Sequence, residues 1–177
     1  MLSDVKRSWL CAGGLVCGVF ALIAVPNVIS HALPPLHEVS ELKAVELGEG
    51  EASVVLEDLE CRNDSLSLMT TYHCGDAKVS TIAVGVTDDP DLTLRRMLRA
   101  AHSSKLPMQN STQDGQFHVL SLDSMQAEEL GISHVDEAEK ILAVSFEKNG
   151  KEVVTVITGN ISDVDSVAEK IGDNVGD

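Results

Sequence analysis

Residues 141–158 read ILAVSFEKNGKEVVTVIT. Two apolar, β-branched runs, Ile141 to Phe146 and Glu152 to Thr158, flank the tetrapeptide Lys148-Asn149-Gly150-Lys151. Asn-Gly between two such runs favours a type I′ turn, whose twist matches that of paired strands, so the stretch reads as a β-hairpin. An antiparallel hairpin this apolar needs a sheet around it and helices over it.

The neighbouring sequence supplies both. Upstream, Phe117 to Leu122 (FHVLSL) reads as a strand and Ser124 to Gly131 as a short helix. His134 to Glu139 forms an acidic connector. Downstream, Ser162 is placed to cap a helix running through Ile171, with Asp165 in the box position and Gly172 as the stop. Its apolar face is Val164, Val167, Ala168 and Ile171.

Further upstream, Asp88-Asp89-Pro90-Asp91 is a helix start. Asp89 can cap, Pro90 suits the first helical position, and Asp91 favours the positive end of the dipole. This helix runs to about Ser103, with Leu94, Met97, Leu98 and Ala101 as its buried stripe. The polar stretch Ser103 to Gly115 reads as a loop. Ala52 to Glu60, Ser65 to Cys74 and Ala77 to Val86 read as three strands, the first two joined by an Arg62-Asn63-Asp64 turn. The order β-β-β-α-β-(α)-β-β-α specifies an α+β domain with a mainly antiparallel sheet covered by two or three helices.

Ahead of this domain lies WLCAGGLVCGVFALIAVPNVI, residues 9–29, without a charge. As a helix it is about 31 Å long, enough to cross a hydrocarbon core of ~30 Å. Lys6 and Arg7 precede it and Glu38 is the first charge after it. The positive-inside bias then keeps the N-terminus cytoplasmic and exports the rest. The chain accordingly divides into a cytoplasmic stub (1–8), a transmembrane helix (9–29), a linker (30–50) containing Pro34-Pro35, and an exported domain (51–177). The competing reading takes 9–25 as the h-region of a signal peptide, cleaved after Ala32 in Ser30-His31-Ala32. Within the apolar stretch, Gly14, Cys17, Gly18 and Ala21 form one stripe of small residues on which two membrane helices can approach closely.

Charge and cysteines bound the function. The chain holds 13 Lys+Arg against 28 Asp+Glu, a net −15. Only Asp4, Lys6 and Arg7 fall in the first 33 residues, so the acidity belongs to the domain. That argues against nucleic acid or anionic headgroups as partners. Aromatics make up 3% of the chain, too few for a stacking platform for sugars or bases. Cys61 and Cys74 are the only cysteines beyond the apolar stretch, and export predicts a disulfide between them.

Signatures of chemistry are sparse. G-x-S-x-G, H-E-x-x-H, the P-loop and G-x-G-x-x-G are all missing, and no i, i+4 histidine pair occurs. No catalytic, cofactor-binding or metal-binding residues are therefore assigned. His118 reads as a half-buried strand histidine. Asn160 to Asp165 resembles a fragment of a calcium loop, but lacks its glycine and distal glutamate. Arg95, Arg96 and Arg99 form the one basic spot, a candidate contact for an acidic ligand that neighbouring carboxylates more simply explain. Three Asn-x-Ser/Thr sequons stand at Asn63, Asn110 and Asn160. The expected function is that of a single-pass envelope protein whose extracytoplasmic domain binds or scaffolds another envelope protein or a second copy of itself. The alternative is a secreted small-molecule or lipid carrier.

Overall fold

The computed structural model describes residues 42–64, 69–132 and 135–176. The apolar stretch 9–29 and its Gly14, Cys17, Gly18, Ala21 stripe lie outside the described residues. Among those described, no helix is long and apolar enough to cross a membrane.

The central hairpin pairs β7 (Glu139–Lys148) with β8 (Lys151–Asn160), from Glu139 opposite Asn160 to Lys148 opposite Lys151. Asn149 and Gly150 take φ of 50° and 72°, both positive as a type I′ turn requires. Both strands are interior to the sheet, so both of their faces must be apolar. Leu142, Val144, Phe146, Val153 and Ile157 enter one core, and Ile141, Ala143, Val154 and Val156 enter the other.

Among the described residues, β1 (Leu42–Leu47), β2 (Val54–Asp64), β3 (Thr70–Cys74), β4 (Ala77–Gly85), β5 (Thr112–Asp114) and β6 (Phe117–Leu122) join this hairpin in one eight-stranded antiparallel sheet, in the order β1-β2-β3-β4-β8-β7-β6-β5. On one side lies a meander of β1, β2, β3 and β4. On the other, β5 and β6 continue outward from β7. The two halves join where β4 pairs with β8, from Lys78 opposite Thr158 to Gly85 opposite Lys151.

Helices cover both faces. On the first, α3 (Ile161–Val175) buries Val164, Val167, Ile171 and Val175, each such burial contributing roughly 1.5–3 kcal/mol. The β1–β2 ribbon adds Val45, Leu47 and Leu56 to the same core. On the second, α1 (Pro90–His102) buries Leu94 and Leu98, and α2 (Ser124–Glu129) buries Ala127. Asp89 accepts from Leu92 N at 2.9 Å, as expected of its capping position. The α+β class and antiparallel sheet therefore stand as read from the sequence.

Four local readings are corrected. Residues 42–47, placed in the linker as part of a stretch (38–47) open to a short helical turn or a first strand, form β1, with Val45 and Leu47 fully buried. A register shift between Ala44 and Val45 breaks the alternation there and hid the strand's period. Arg62-Asn63-Asp64 is the end of β2 rather than a turn, paired with His73, Tyr72 and Thr71. The loop 103–115 carries edge strand β5 and is tied down by Lys105 N on Leu130 O (2.9 Å) and by Arg95 Nη1 on Pro107 O (3.1 Å). Finally, α3 is capped by Asn160, whose side chain accepts from Ser162 N at 3.0 Å, and it runs past Gly172 because Val175 is buried. Asp165 pairs with Lys140 rather than closing a capping box.

Candidate functional site

Alternation along β6, β7 and β8 builds the site. Leu120 and Leu122, Ile141 and Ala143, and Val154 and Val156 point into the second core. One step further along each strand in the same phase come His118, Ser145 and Glu152. His118 is the register partner of Ser145, and Glu152 is that of Glu147. The apolar layer thus ends in a polar row. Helix α1 begins only at Pro90, so the row is left beside a cavity of about 260 Å³. Val86, Pro90, Gln116, His118, Ser145, Phe146, Glu147 and Glu152 line it. Phe146 is held from the first core by an edge-to-face contact with Phe117, the ring centroids 5.8 Å apart.

Glu152 is 4% exposed and Ser145 1%. Thr87 Oγ1 lies 3.5 Å from Glu152 Oε2. The Ser145 hydroxyl faces the Glu152 carboxyl, and the two are short of other partners among the described residues. A buried carboxyl held only by hydroxyl groups, with no cation beside it, is costly to ionise. Burial pushes the Glu152 carboxyl above its ordinary range. The Ser145 hydroxyl, His118 and Thr87 pull it back, and Glu147 adds to the rise.

The sign of this shift gives a prediction. A carboxyl whose folded pKa is raised binds its proton more tightly in the folded state. Its contribution is most favourable below the ordinary value of 4.5 and is lost as pH rises through the raised one. Glu152→Gln should therefore unfold at a higher temperature than the parent chain at pH 7, and the gap should close as pH falls toward 4.5. Thermal melts of both chains across that range check it. Equal melting temperatures at pH 7 would show that Glu152 is ionised and satisfied there, and a gap that does not narrow would show that its titration is not the cause.

Serine, histidine and glutamate are the residue types of a nucleophilic triad. The Ser145 hydroxyl, however, is not engaged by the His118 ring, and nucleophile activation requires that hydrogen bond. No family model, curated protein or solved structure matches the chain.

The residues singled out from sequence fall elsewhere. Cys61 and Cys74 form the expected disulfide, in the β2–β3 ladder beside the Arg62–His73 pair, with Cα atoms 4.7 Å apart. Cys61 is fully buried and Cys74 nearly so. Arg95 meets Asp91 at 2.9 Å. Burial would raise the Asp91 pKa, but hydrogen bonds from Ser111 and the Arg95 charge outweigh it and bring it below 3.8. Arg96 and Arg99 make no ion pair among the described residues and line a shallow open groove with Ala100, Ser103 and Ser104. The carboxylate explanation thus fits Arg95 alone.

The calcium-like fragment is spent on structure. Asp163 accepts from Asp76 N at 3.2 Å, and Asp165 pairs with Lys140. Among the described residues, no three His, Cys, Asp or Glu side chains gather to hold a metal ion.

Sequence reasoning missed Ser145 and Glu152. Their signal was present: each is a polar residue at an apolar phase of its strand. Without the register between β6, β7 and β8, nothing indicated that the two fall beside His118.

Proposed function

We propose that this chain is a single-pass membrane-anchored envelope protein whose extracytoplasmic domain binds or scaffolds another envelope protein or a second copy of itself. The observation that carries the reading is the buried Cys61–Cys74 disulfide, a bond that persists in oxidising compartments. It follows a 21-residue uncharged segment flanked by Lys6 and Arg7. The unpaired Arg96 and Arg99 are the available contact for an acidic partner on an otherwise acidic domain. A second reading, a secreted small-molecule carrier released after Ala32, draws on the cavity beside Glu152.

Intact mass of the protein recovered from cells, with thiol alkylation before and after reduction, separates these. A full-length mass confined to membranes, with Cys61 and Cys74 protected until reduction, is the expected result. Crosslinking in the same membranes should yield adducts that diminish in Arg96→Glu/Arg99→Glu. A soluble species beginning at Leu33 would favour the second reading. Alkylation of all four cysteines without reduction would remove export. Recovery of monomer alone would overturn partner binding.

A further inference from the structure

We infer that the face formed by α1 and α2 is a two-fold interface with a second copy of this chain, in which Arg96 and Arg99 of each copy meet Glu128, Asp136 and Glu137 of the other. This rests on the partner-binding reading above and names the partner.

The first observation is an uncommitted basic pair. Arg96 and Arg99 are exposed and make no ion pair among the described residues, whereas Arg95 is held by Asp91 and Lys140 by Asp165. No Asp or Glu stands three or four residues from either arginine. At i, i+3 the two are like charges on one helix, a spacing that destabilises it. The needs of α1 therefore do not explain them.

The second is an uncommitted acidic strip on the same face. Glu128 on α2, with Asp136 and Glu137 beyond it, is exposed and without an ion pair among the described residues. These three share an open groove of about 620 Å³ with Met125 and Ile132. No lysine or arginine lines that groove, and no carboxylate lines the one on α1. The two grooves are neighbours, since both helices pack on the second core. Ser104 lines the first groove, and Lys105 beside it donates through N to Leu130 O at 2.9 Å and through Nζ to Glu129 O at 3.3 Å, at the end of α2. One face thus carries opposite charge on its two sides.

The third is apolar surface on that face. Met108 and Met125 are 88% and 73% exposed, the two most exposed large apolar side chains among the described residues. Their neighbours Gln109 and Gln126 are hydrogen-bonded to each other at 3.0 Å, which sets both methionines beside the start of α2. Methionine is enriched where proteins meet and adapts its shape to a facing surface.

A face with opposite signs on its two sides is its own complement. A half-turn about an axis through its middle lays the basic side of each copy on the acidic side of the other, so one contact forms twice. The remaining surface of a chain with net charge −15 repels a second copy in other orientations, which selects this one. A foreign partner would have to present both signs in the same order.

The test uses the full chain in its membranes, co-expressed as two copies with different epitope tags. One copy carries a photo-crosslinking amino acid in place of Ala100, an exposed position in the α1 groove. The expected result is an adduct bearing both tags, with the crosslink mapped to residues 124–137. Arg96→Glu/Arg99→Glu in both copies should lower its yield about tenfold, and so should Glu128→Arg/Glu137→Arg in both. Placing the first pair in one copy and the second pair in the other makes both contacts attractive again and should restore the yield. A variant that merely misfolded would not be rescued in this way, and all four side chains are exposed. Loss in each variant without recovery in the mixed pair would overturn the two-fold contact, as would a yield that neither pair lowers. Adducts with other proteins alone, diminished by Arg96→Glu/Arg99→Glu, would overturn the second copy and leave partner binding standing. No adduct of any kind would overturn both.

Discussion

Replacing Gly159 by alanine is expected to cost the domain about 3 kcal/mol, among the larger single-residue effects available to it. Gly159 lies near the end of β8 with φ of 149°, a conformation that side chains disfavour. A Cβ there would sit 2.5 Å from Asp76 O and 2.8 Å from Ala77 Cα. Both are backbone atoms, at the turn between β3 and β4, and cannot swing aside. That turn is pinned in its place, since Asp76 N donates to Asp163 in the first turn of α3. Relief must come from parting β8 from the start of β4, where Lys78 pairs with Thr158. The melting temperature should fall by roughly 10 °C. Gly172→Ala is the control. Nothing lies within 4 Å of its added Cβ inside α3, so it should be neutral or stabilising by up to ~1 kcal/mol. Equal melting temperatures for the two variants would show that the close approach at Gly159 is not a constraint.

Removing the disulfide as Cys61→Ala/Cys74→Ala should cost about 3 kcal/mol, the chain-entropy value for a loop of this length. The effect should also be local. Beyond the disulfide, the β2–β3 register among the described residues runs from Arg62 to Asp64. The β1–β2 ribbon is otherwise held by packing of Val45, Leu47 and Leu56 and by hydrogen bonds that include Gly48 N donating to Thr81 Oγ1 at 3.0 Å, Glu46 N donating to Tyr72 OH at 3.2 Å and Lys170 Nζ donating to Asp58 O at 3.0 Å. Amide exchange in β1 and β2 should therefore accelerate far more than in β7 and β8. Urea unfolding of the parent chain should move to lower concentration on addition of reductant, and that of the double variant should not. A variant as stable as the oxidised parent would mean that the ladder and core suffice to hold the ribbon.

The elements legible in the sequence were those with a local cause. Asn149-Gly150 fixed a turn, Asp89-Pro90 fixed a helix start, and the Val and Ile runs of β4, β7 and β8 announced strands. What stayed hidden depended on partners distant along the chain. β1 was obscured by a bulge that only its pairing with β2 defines. The cap of α3 was misplaced by two residues because Asn160 and Ser162 are both good caps, and burial of Val175 decides how far the helix runs. The polar row of His118, Ser145 and Glu152 comes from three strands, and its members were separately unremarkable. Register created the site, and register is a property of the assembled sheet.

The seam between β4 and β8 also has a consequence for biosynthesis. As the chain emerges from the ribosome, β4 is complete long before β8, the strand that will close its free edge, has been made. The first meander therefore waits with an open, apolar edge through the synthesis of α1, β5, β6, α2 and β7. Non-local pairing of this kind folds slowly and invites association while it waits. A nascent chain halted before Lys151 should behave as a client of holding chaperones, and release from them should coincide with completion of the last hairpin.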